Sequence, residues 1–245
     1  ILGGRFINDQ KLVEVLAERA RPAVEQLAEY GVDLILSPEP AAGHGVRRAV
    51  YCRHRRGTEL TSPLRSFLEA KTDVVIMDNT FVLDLVVRDV REVVRGAFCL
   101  SGEEPHFIRA RSVVLATGGP GFAYSYTDNT SDTTGDGIAM AWRHGAELTD
   151  MEMVQFHPTF LVSPQRFVVD PVIFSHGAVL RDPSGTRFMD SFAKKEVQPR
   201  DVISREIWRH REVYLDVSGV ESSTLERQSP KIYRLLASGY RGSLR

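Results

Sequence analysis

The feature that most constrains this sequence is an apolar run that ends abruptly in glycines, Val113-Val114-Leu115-Ala116-Thr117-Gly118-Gly119-Pro120-Gly121. Its first residues predict a buried strand, and the small residues that follow let another backbone or a planar ligand come close. In open α/β sheets, ligands bind beyond the carboxyl ends of the strands. The run therefore predicts either a ligand-binding edge in an α/β fold or a tight turn after a core strand.

A second glycine-containing segment, Thr133-Thr134-Gly135-Asp136-Gly137, lies at the start of a helical pattern. Thr134 is predicted to cap this helix, whose amino end would present free N–H groups at the positive end of the helix dipole. Asp136 either favours that dipole or accepts hydrogen bonds from a polar ligand such as a ribityl chain. For this segment taken alone, a structural role and a ligand site are both open.

Helices and strands are mixed along the rest of the chain, which predicts an α/β fold with an appended antiparallel meander. The predicted helices cover residues 8–31, 60–71, 134–145 and 200–211. The predicted strands are Val32–Leu36, Val74–Met77, Phe81–Val87, Val93–Leu100, Phe107–Leu115 and Val213–Val217. After Met151 the sequence becomes richer in proline, phenylalanine and turn signals, so we expect a domain boundary between residues 154 and 155.

Composition excludes several functional classes. The 31 Lys and Arg residues balance 32 Asp and Glu residues and are interspersed with them, which argues against nucleic acid as a partner. The apolar runs are far shorter than the roughly 20 residues of a transmembrane helix. Cys52 and Cys99 form neither a disulfide framework nor a metal-binding motif, so we expect no metal site and a cytoplasmic location.

A basic cluster lies in a turn-rich stretch over residues 41–62 and consists of Arg47, Arg48, Arg53, Arg55 and Arg56. Charge runs of this kind are typically solvated loops. A contact to a cofactor phosphate or to a partner subunit is the alternative interpretation.

Two further segments carry polar residues in unusual places. In Met151–Thr159, His157 is followed by Pro158, which restricts the backbone, and by the hydroxyl of Thr159. Arg200 follows Pro199 at a helix start, where an acidic residue would suit the dipole better. Each residue has a structural alternative: His157 as a satisfied core histidine, and Arg200 paired with Asp201 or another carboxylate.

Taken in order, five motifs of this sequence resemble one family, the flavoprotein subunit of succinate dehydrogenase and fumarate reductase together with L-aspartate oxidase. The motifs begin at Val113, Thr134, Met151, Thr186 and Pro199, and read VVLATGG, TGDGIAMA, MEMVQFHPT, TRFM and PRDVISR. The resemblance extends from about Gly3 to Val217. It implies part of a Rossmann-like FAD-binding domain over residues 1–154, followed by a smaller α+β capping domain over residues 155–245.

The resemblance also implies roles for individual residues, with FAD as the cofactor. The residues that match cofactor contacts are Ala116, Thr117, Gly118, Gly119, Thr134, Gly135 and Asp136. His157 and Thr159 match residues that bind a carboxylate of the substrate, and Arg200 matches the arginine that binds the dicarboxylate and exchanges a proton with it. His157 and Arg200 are thereby the expected catalytic residues, in a hydride transfer between flavin N5 and a substrate of the succinate/fumarate type.

One segment departs from the family pattern, and this leaves alternatives open. Asp170–Gly177 replaces a Thr-Glu pair and an Arg-Gly-Glu-Gly run, so that His176 lies where a glutamate is usual. Activity as an L-aspartate oxidase is one alternative. The other is a catalytically incomplete flavoprotein piece that acts as a structural or interaction module.

The resemblance has implications for the size and partners of the protein as well. The chain opens on Ile1 without the family's first Gly-x-Gly-x-x-Gly motif, so we expect an internal part of a longer flavoenzyme that would hold FAD poorly by itself. An iron–sulfur subunit is the expected partner of a succinate/fumarate-type enzyme. Through such a subunit, the protein would lie peripherally at the cytoplasmic membrane.

Overall fold

The computed structural model describes residues 4–37, 46–53, 57–88, 93–240, 242 and 244. The chain divides into two compact units, residues 1–76 and 77–245, which are described one at a time. The boundary expected between residues 154 and 155 stays a prediction. Arg55 and Arg56 of the predicted basic cluster lie outside the described residues.

The first unit contains two helices and a two-stranded antiparallel sheet. Its elements are α1 (Gln10–Glu29), β1 (Leu34–Leu36), β2 (Val50–Cys52) and α2 (Thr58–Lys71). The Asp9 carboxylate caps α1 by accepting the backbone N–H of Lys11 at 2.8 Å, and Gly31 follows the helix in the left-handed conformation. Both predicted helices are confirmed, and the stretch predicted to be rich in turns also contains β2. There Arg53 binds Asp33 across the ladder, both side chains being exposed.

The second unit begins with the predicted antiparallel meander. It consists of β3 (Thr80–Arg88), β4 (Val93–Ser101) and β5 (Glu104–Arg109), paired in the order β3-β4-β5. Gly96 adopts a φ of 153° on β4, where a Cβ would overlap the Ile108 carbonyl of β5. Only glycine allows this approach, so the close contact between β4 and β5 depends on the missing side chain at Gly96.

Two strand predictions need correction. Val74–Met77 and Val113–Ala116 lie outside any strand, and β5 ends at Arg109 instead of continuing to Leu115. Val75 is 81% exposed and Val114 is 87% exposed. A strand needs a neighbouring backbone to pair with, and neither segment has one in the part of the chain that the structure describes. Apolar composition alone therefore led to the wrong prediction.

The remaining helices and strands are short, and they lie both before and after the expected boundary between residues 154 and 155. They are α3 (Asp136–Arg143), β6 (Phe160–Leu161), β7 (Phe167–Val168), β8 (Val179–Arg181), α4 (Arg200–His210), β9 (Tyr214–Asp216), α5 (Ser222–Gln228) and α6 (Pro230–Ala237). β6 pairs with β7 and β8 with β9, both antiparallel. The helices predicted over residues 134–145 and 200–211 and the strand at 213–217 are thus confirmed. The mixed helix and strand content agrees with the predicted class.

The main hydrophobic core of the described residues is built only from residues after position 160. Its fully buried members include Ile173, Met189 and Ile232. Glu196 is buried beside this core, and its carboxylate accepts hydrogen bonds from the Leu180 N–H and from the Arg187 guanidinium. A buried charge is tolerated when it is paired and hydrogen-bonded in this way. Among the described residues, no helix is both long enough and apolar enough to cross a membrane.

Candidate functional site

Two glycine-containing segments pack directly against each other in the second unit. A Cβ on Gly137, in the first turn of α3, would overlap the Thr117 hydroxyl, and a Cβ on Gly135 would lie 3.0 Å from the Pro120 Cβ. The backbone N–H of Phe122 donates to the Thr133 carbonyl at 3.0 Å. The segment at 116–121 therefore lies against the amino end of α3, as the two motifs together require.

The outer side of this pair of segments is open. Ala116–Gly119, Thr134 and Asp136 are exposed, and Gly118 and Gly135 have positive φ angles of 71° and 84°. Side chains are small or absent there, so a planar group can approach the backbone and the N–H groups at the start of α3. These residues fit a cofactor such as FAD, which combines a planar ring, hydroxyl groups and phosphates.

The predicted cap of α3 is wrong in one respect. Gly135 is the N-cap residue, and no side chain caps the helix. The Thr134 hydroxyl instead donates to the Asp136 carboxylate at 2.7 Å. The left-handed conformation at Gly135 turns the chain sharply into the helix, so Thr134 cannot reach the N–H groups that it was expected to cap. Its hydroxyl orients Asp136 instead.

The carboxyl end of α3 is fastened to the meander by Asp84. The Asp84 carboxylate binds Arg143 Nε at 3.3 Å and His144 Nε2 at 3.1 Å, and it also accepts the Leu85 N–H. Burial acts to raise the pKa of Asp84, but these hydrogen bonds and the Arg143 charge together outweigh it, so that the pKa is lowered. A cation near a helix carboxyl end also favours the helix dipole. Helix α3 is therefore held to the meander at its carboxyl end.

His157 lies next to Thr159, as the motif predicts. Nδ1 of His157 is 3.3 Å from the Thr159 backbone N and 3.1 Å from the Thr159 hydroxyl. Thr159 is buried, and its hydroxyl donates to the Val169 carbonyl at 2.7 Å. The imidazole is thus held from its Nδ1 side. Nε2 has no hydrogen-bond partner among the described residues.

The pKa of His157 is lowered from its ordinary value. Burial of the imidazole is the largest cause, and the positive charge of Arg200 adds to it, whereas the negative charge of Asp128 acts in the opposite direction. Burial and the positive charge of Arg200 both favour the neutral ring. His157 is therefore a neutral hydrogen-bonding group at pH 7 in the absence of further charge.

Arg200 is fixed close to His157 through the segment that precedes the histidine. The guanidinium donates to the Gln155 side-chain oxygen at 3.2 Å, and the Ser204 hydroxyl donates to the Phe156 carbonyl at 2.7 Å. Asp201, the acid considered as a partner of Arg200, binds Arg205 instead at 2.6 Å. In the part of the chain that the structure describes, Arg200 has no ion-pair partner, and its positive charge is available to an anion.

The two groups of predicted residues share a neighbourhood. The loop between Gly121 and Thr133 packs against the two glycine-containing segments. The ring of Tyr124 in this loop contacts the Phe156 ring edge-on, with 5.7 Å between the centroids. Asp128, in the same loop, acts electrostatically on His157. The residues predicted from the sequence patterns therefore lie in one region of the second unit.

Some contributors were missed at the level of sequence. Ser204 lies one helical turn after Arg200, so helical periodicity places it beside a predicted site residue. Gln155 lies outside any helix or strand, and its contact with Arg200 depends on tertiary packing. The influence of Asp128 depends on the path of the loop, and no sequence pattern indicated it.

The segment that departs from the family motif is used for packing. Residues Pro171–His176 form a 3₁₀ helix capped by the Asp170 carboxylate, which accepts the Val172 N–H at 2.9 Å. Ile173 and Phe174 from this segment enter the hydrophobic core. A Phe side chain in the core cannot also serve as a polar contact to a substrate.

The sequence matches the family described as FAD binding domain over residues 2–243. One subunit of the fumarate reductase (CoM/CoB) of Methanothermobacter marburgensis is 34% identical to it over 245 residues, covering 92% of this chain and 45% of that protein. An L-aspartate oxidase from Synechocystis sp. is 32% identical over 254 residues, covering 96% of this chain and 46% of that protein. The chain thus spans less than half the length of these relatives.

Solved structures give the same picture. FrdA of the E. coli quinol fumarate reductase, in a point-mutant form, superposes with a TM-score of 0.86 at 26% identity, covering 99% of this chain and 47% of that one. A second structure, a quinol-fumarate reductase with menaquinol molecules, gives a TM-score of 0.87 at 26% identity, covering 100% and 49% of the two chains. The described fold is therefore similar to part of a fumarate reductase flavoprotein.

Proposed function

Since the chain belongs to the FAD binding domain family, we propose that it forms part of a flavoenzyme that oxidises or reduces a small dicarboxylate of the succinate/fumarate type. The family is the one predicted from the five motifs, and FAD is confirmed as its cofactor. The observation that carries the proposed activity is the attachment of Arg200 and His157 to one short segment, through the Arg200–Gln155 and Ser204–Phe156 hydrogen bonds. A dianionic substrate needs two such groups a fixed distance apart.

For the cofactor, we propose that the two packed glycine segments hold FAD. When bound, FAD supplies a site that accepts or releases a hydride. The exposed backbone of Ala116, Thr117, Gly118 and Gly119 offers close approach, and the amino end of α3 offers N–H groups to an anion. Asp136, oriented by Thr134, accepts hydrogen bonds from ligand hydroxyls, and Gly135 leaves room beside it.

For the substrate, we propose that Arg200 and His157 each bind a carboxylate. The only hydrogen-bond partner of Arg200 among the described residues is the neutral Gln155 amide, so its charge remains free to attract a dianion. His157 presents Nε2 as a donor while Nδ1 is held by Thr159. Arg200 is also the proposed proton donor, a role implied by the family resemblance. Direct contact between Thr159 and the substrate stays a prediction.

We propose that residues 155–245 act as the capping domain over the site. This is supported by a core that consists only of residues from Leu161 onwards, so this part has its own packing. Closure of such a domain excludes water and strengthens the attraction between Arg200 and a carboxylate. An iron–sulfur subunit that exchanges electrons with the flavin, and through it a peripheral position at the cytoplasmic membrane, remain parts of this proposal.

L-aspartate oxidase activity is the second candidate because relatives of that name match at similar identity. The two activities are separated by assaying the purified protein with succinate and an artificial dye, and in parallel with L-aspartate and oxygen. Turnover of succinate alone supports the first proposal, and turnover of L-aspartate alone supports the second.

A flavoprotein piece with only a structural role is the candidate of another class. The packing of Phe174 and the capping role of Asp170 in the divergent segment favour it. This candidate predicts that the protein turns over neither succinate nor L-aspartate. It also predicts that the Arg200→Gln variant binds fumarate as tightly as the unchanged protein does.

A further inference from the structure

Thr159 brings two different polar groups to one atom of His157. Its backbone N is 3.3 Å from Nδ1, and its hydroxyl oxygen is 3.1 Å from the same atom. Thr159 is only 8% exposed, and its hydroxyl is also bonded to the Val169 carbonyl at 2.7 Å. Because these contacts are internal, they do not depend on a bound ligand.

The chemistry of the three groups assigns the protons. A hydroxyl carries one proton, and the Val169 carbonyl can only accept, so the shorter bond takes that proton. The Thr159 oxygen then presents a lone pair to Nδ1, whereas the Thr159 backbone N–H presents a donor. The same residue therefore offers Nδ1 both a donor and an acceptor.

This pairing satisfies Nδ1 in either protonation state. In the neutral ring, Nδ1 accepts the Thr159 N–H and the proton of the ring is on Nε2. In the imidazolium, Nδ1 carries a proton and donates it to the Thr159 hydroxyl oxygen. A histidine that lost one of these partners would leave a half-buried polar atom unsatisfied in one of the two states, which is costly.

We propose that Thr159 is a positioning residue that lets His157 take up a proton from solvent when a dicarboxylate binds. This rests on the proposed function, since it assumes a dianion next to His157. The proton adds to Nδ1, the Thr159 N–H loses Nδ1 as its acceptor, and no covalent bond breaks, so the ring gains one positive charge. Nε2 keeps its proton and donates it to the carboxylate, which becomes a charge-assisted hydrogen bond.

Two charged groups face His157 from the neighbouring elements of the second unit. Arg200 on α4 favours the neutral ring, and Asp128 in the loop before α3 favours the charged one. With the site empty, burial and Arg200 keep the ring neutral. A bound dianion offsets the Arg200 charge and adds its own attraction, so protonation becomes favourable.

Thr159→Val tests this directly, because valine keeps the β-branched shape and the backbone N–H but removes the acceptor. Thr159→Ser is the matched control that retains the hydroxyl. In protein labelled with ¹⁵N-histidine, we expect NMR titration to show the His157 pKa of the valine variant lowered by about one unit, the scale of a lost charge-assisted hydrogen bond. The serine variant should stay within a few tenths of a unit of the unchanged protein. An unchanged pKa in the valine variant would overturn the proposal.

Proton uptake gives a second readout that a purely structural role would not move. Calorimetric titration with succinate, in two buffers of different ionisation enthalpy, measures the protons taken up per bound ligand. We expect uptake at pH 7 in the unchanged protein and in Thr159→Ser, and a clear loss of uptake in Thr159→Val. Equal uptake in all three proteins would refute the role of Thr159.

A measurement on the unchanged protein covers the case in which Thr159→Val does not fold. Long-range ¹H–¹⁵N spectra of the neutral ring should show Nδ1 without a proton and Nε2 with one, and the opposite tautomer would overturn the proposal. If succinate does not bind at all, the proposed function and the coupling both fail. The effect of Thr159 on the pKa of the empty site is then still decided by the titration.

Discussion

The buried pair of Glu196 and Arg187 provides a quantitative test of how the second unit is held together. The Glu196 side chain is 1% exposed, and its two oxygens accept from Arg187 Nε at 3.0 Å, from Arg187 Nη2 at 2.6 Å and from the Leu180 N–H at 3.1 Å. Glu196→Gln keeps the shape but replaces one accepting oxygen with an NH₂ group. That group would face the guanidinium, and the positive charge would keep only the more exposed Asp190 carboxylate, 3.5 Å away, as an ion-pair partner.

Removing one partner of a buried ion pair costs about 3–5 kcal/mol. Arg187 is 27% exposed, so water can solvate part of its charge, and glutamine retains one of the two acceptors. We therefore expect Glu196→Gln to lower the free energy of unfolding by about 2–3 kcal/mol. The exposed Arg205–Asp201 pair gives the control: Asp201→Asn should cost less than about 1 kcal/mol.

Urea unfolding followed by far-ultraviolet circular dichroism measures both variants, because the only two tryptophans, Trp142 and Trp208, are 66% and 83% exposed and their fluorescence would change little. A double-mutant cycle with Arg187→Met and Glu196→Met isolates the coupling, which we expect to exceed about 1 kcal/mol. If Glu196→Gln costs no more than Asp201→Asn, the pair does not stabilise this unit and the reasoning is wrong.

Three further predictions concern the site and its surroundings. Gly137→Ala forces a Cβ into the Thr117 hydroxyl, so we expect unfolding to become easier by about 1–3 kcal/mol in urea titrations and FAD binding to weaken in parallel. The pKa of Asp216 is held down to about 2 by its Ser218 and Arg181 hydrogen bonds, which outweigh partial burial. A lowered carboxylate pKa gives stability that is present above pH 4 and lost as the pH falls towards 2. In urea titrations, Asp216→Asn should therefore be less stable than the unchanged protein at pH 5. The stabilities of the two proteins should converge near pH 2. Arg200→Gln removes a positive charge beside His157, and NMR titration should show the His157 pKa rise towards its ordinary value; a further decrease would contradict the assigned electrostatics.

Local pattern predicted much of this fold because many elements carry their own signals. Helix α1 begins after Asp9, whose side chain caps it, and ends next to Gly31 in the left-handed conformation. The three strands of the meander coincide with runs of strand-forming residues that are separated by short polar turns. In both cases the residues that determine the structure are close together in sequence.

One failure occurred where structure depends on distant partners, and another where the backbone adopts an unusual local conformation. Val113–Ala116 has the composition of a core strand, yet nothing in the described chain pairs with it and Val114 is exposed. Asn, Asp or Thr before a helix predicts a cap, but at α3 the left-handed Gly135 removed Thr134 from capping distance. The missing partner of Val113–Ala116 cannot be inferred from residues nearby in sequence, whereas the loss of the Thr134 cap follows from the conformation of its neighbour Gly135.

The candidate site shows the same division. His157, Thr159 and Arg200 were predicted from motifs, whereas the contributions of Asp128 and the Val169 carbonyl depend on how the loop and strand β7 return to the site. Arg200 stands out in the sequence because an arginine at a helix start opposes the dipole. Its hydrogen-bond partner, Gln155, follows from tertiary packing.

The most direct test of the central claim is hydrogen–deuterium exchange of this 245-residue protein with and without a large excess of FAD, which populates even a weakly bound state. The account predicts slower exchange of backbone amides in two segments, residues 116–121 and 133–139, and little change in β8 and α5. Protection absent from both segments, or centred elsewhere in the chain, would contradict the assignment of these segments to FAD.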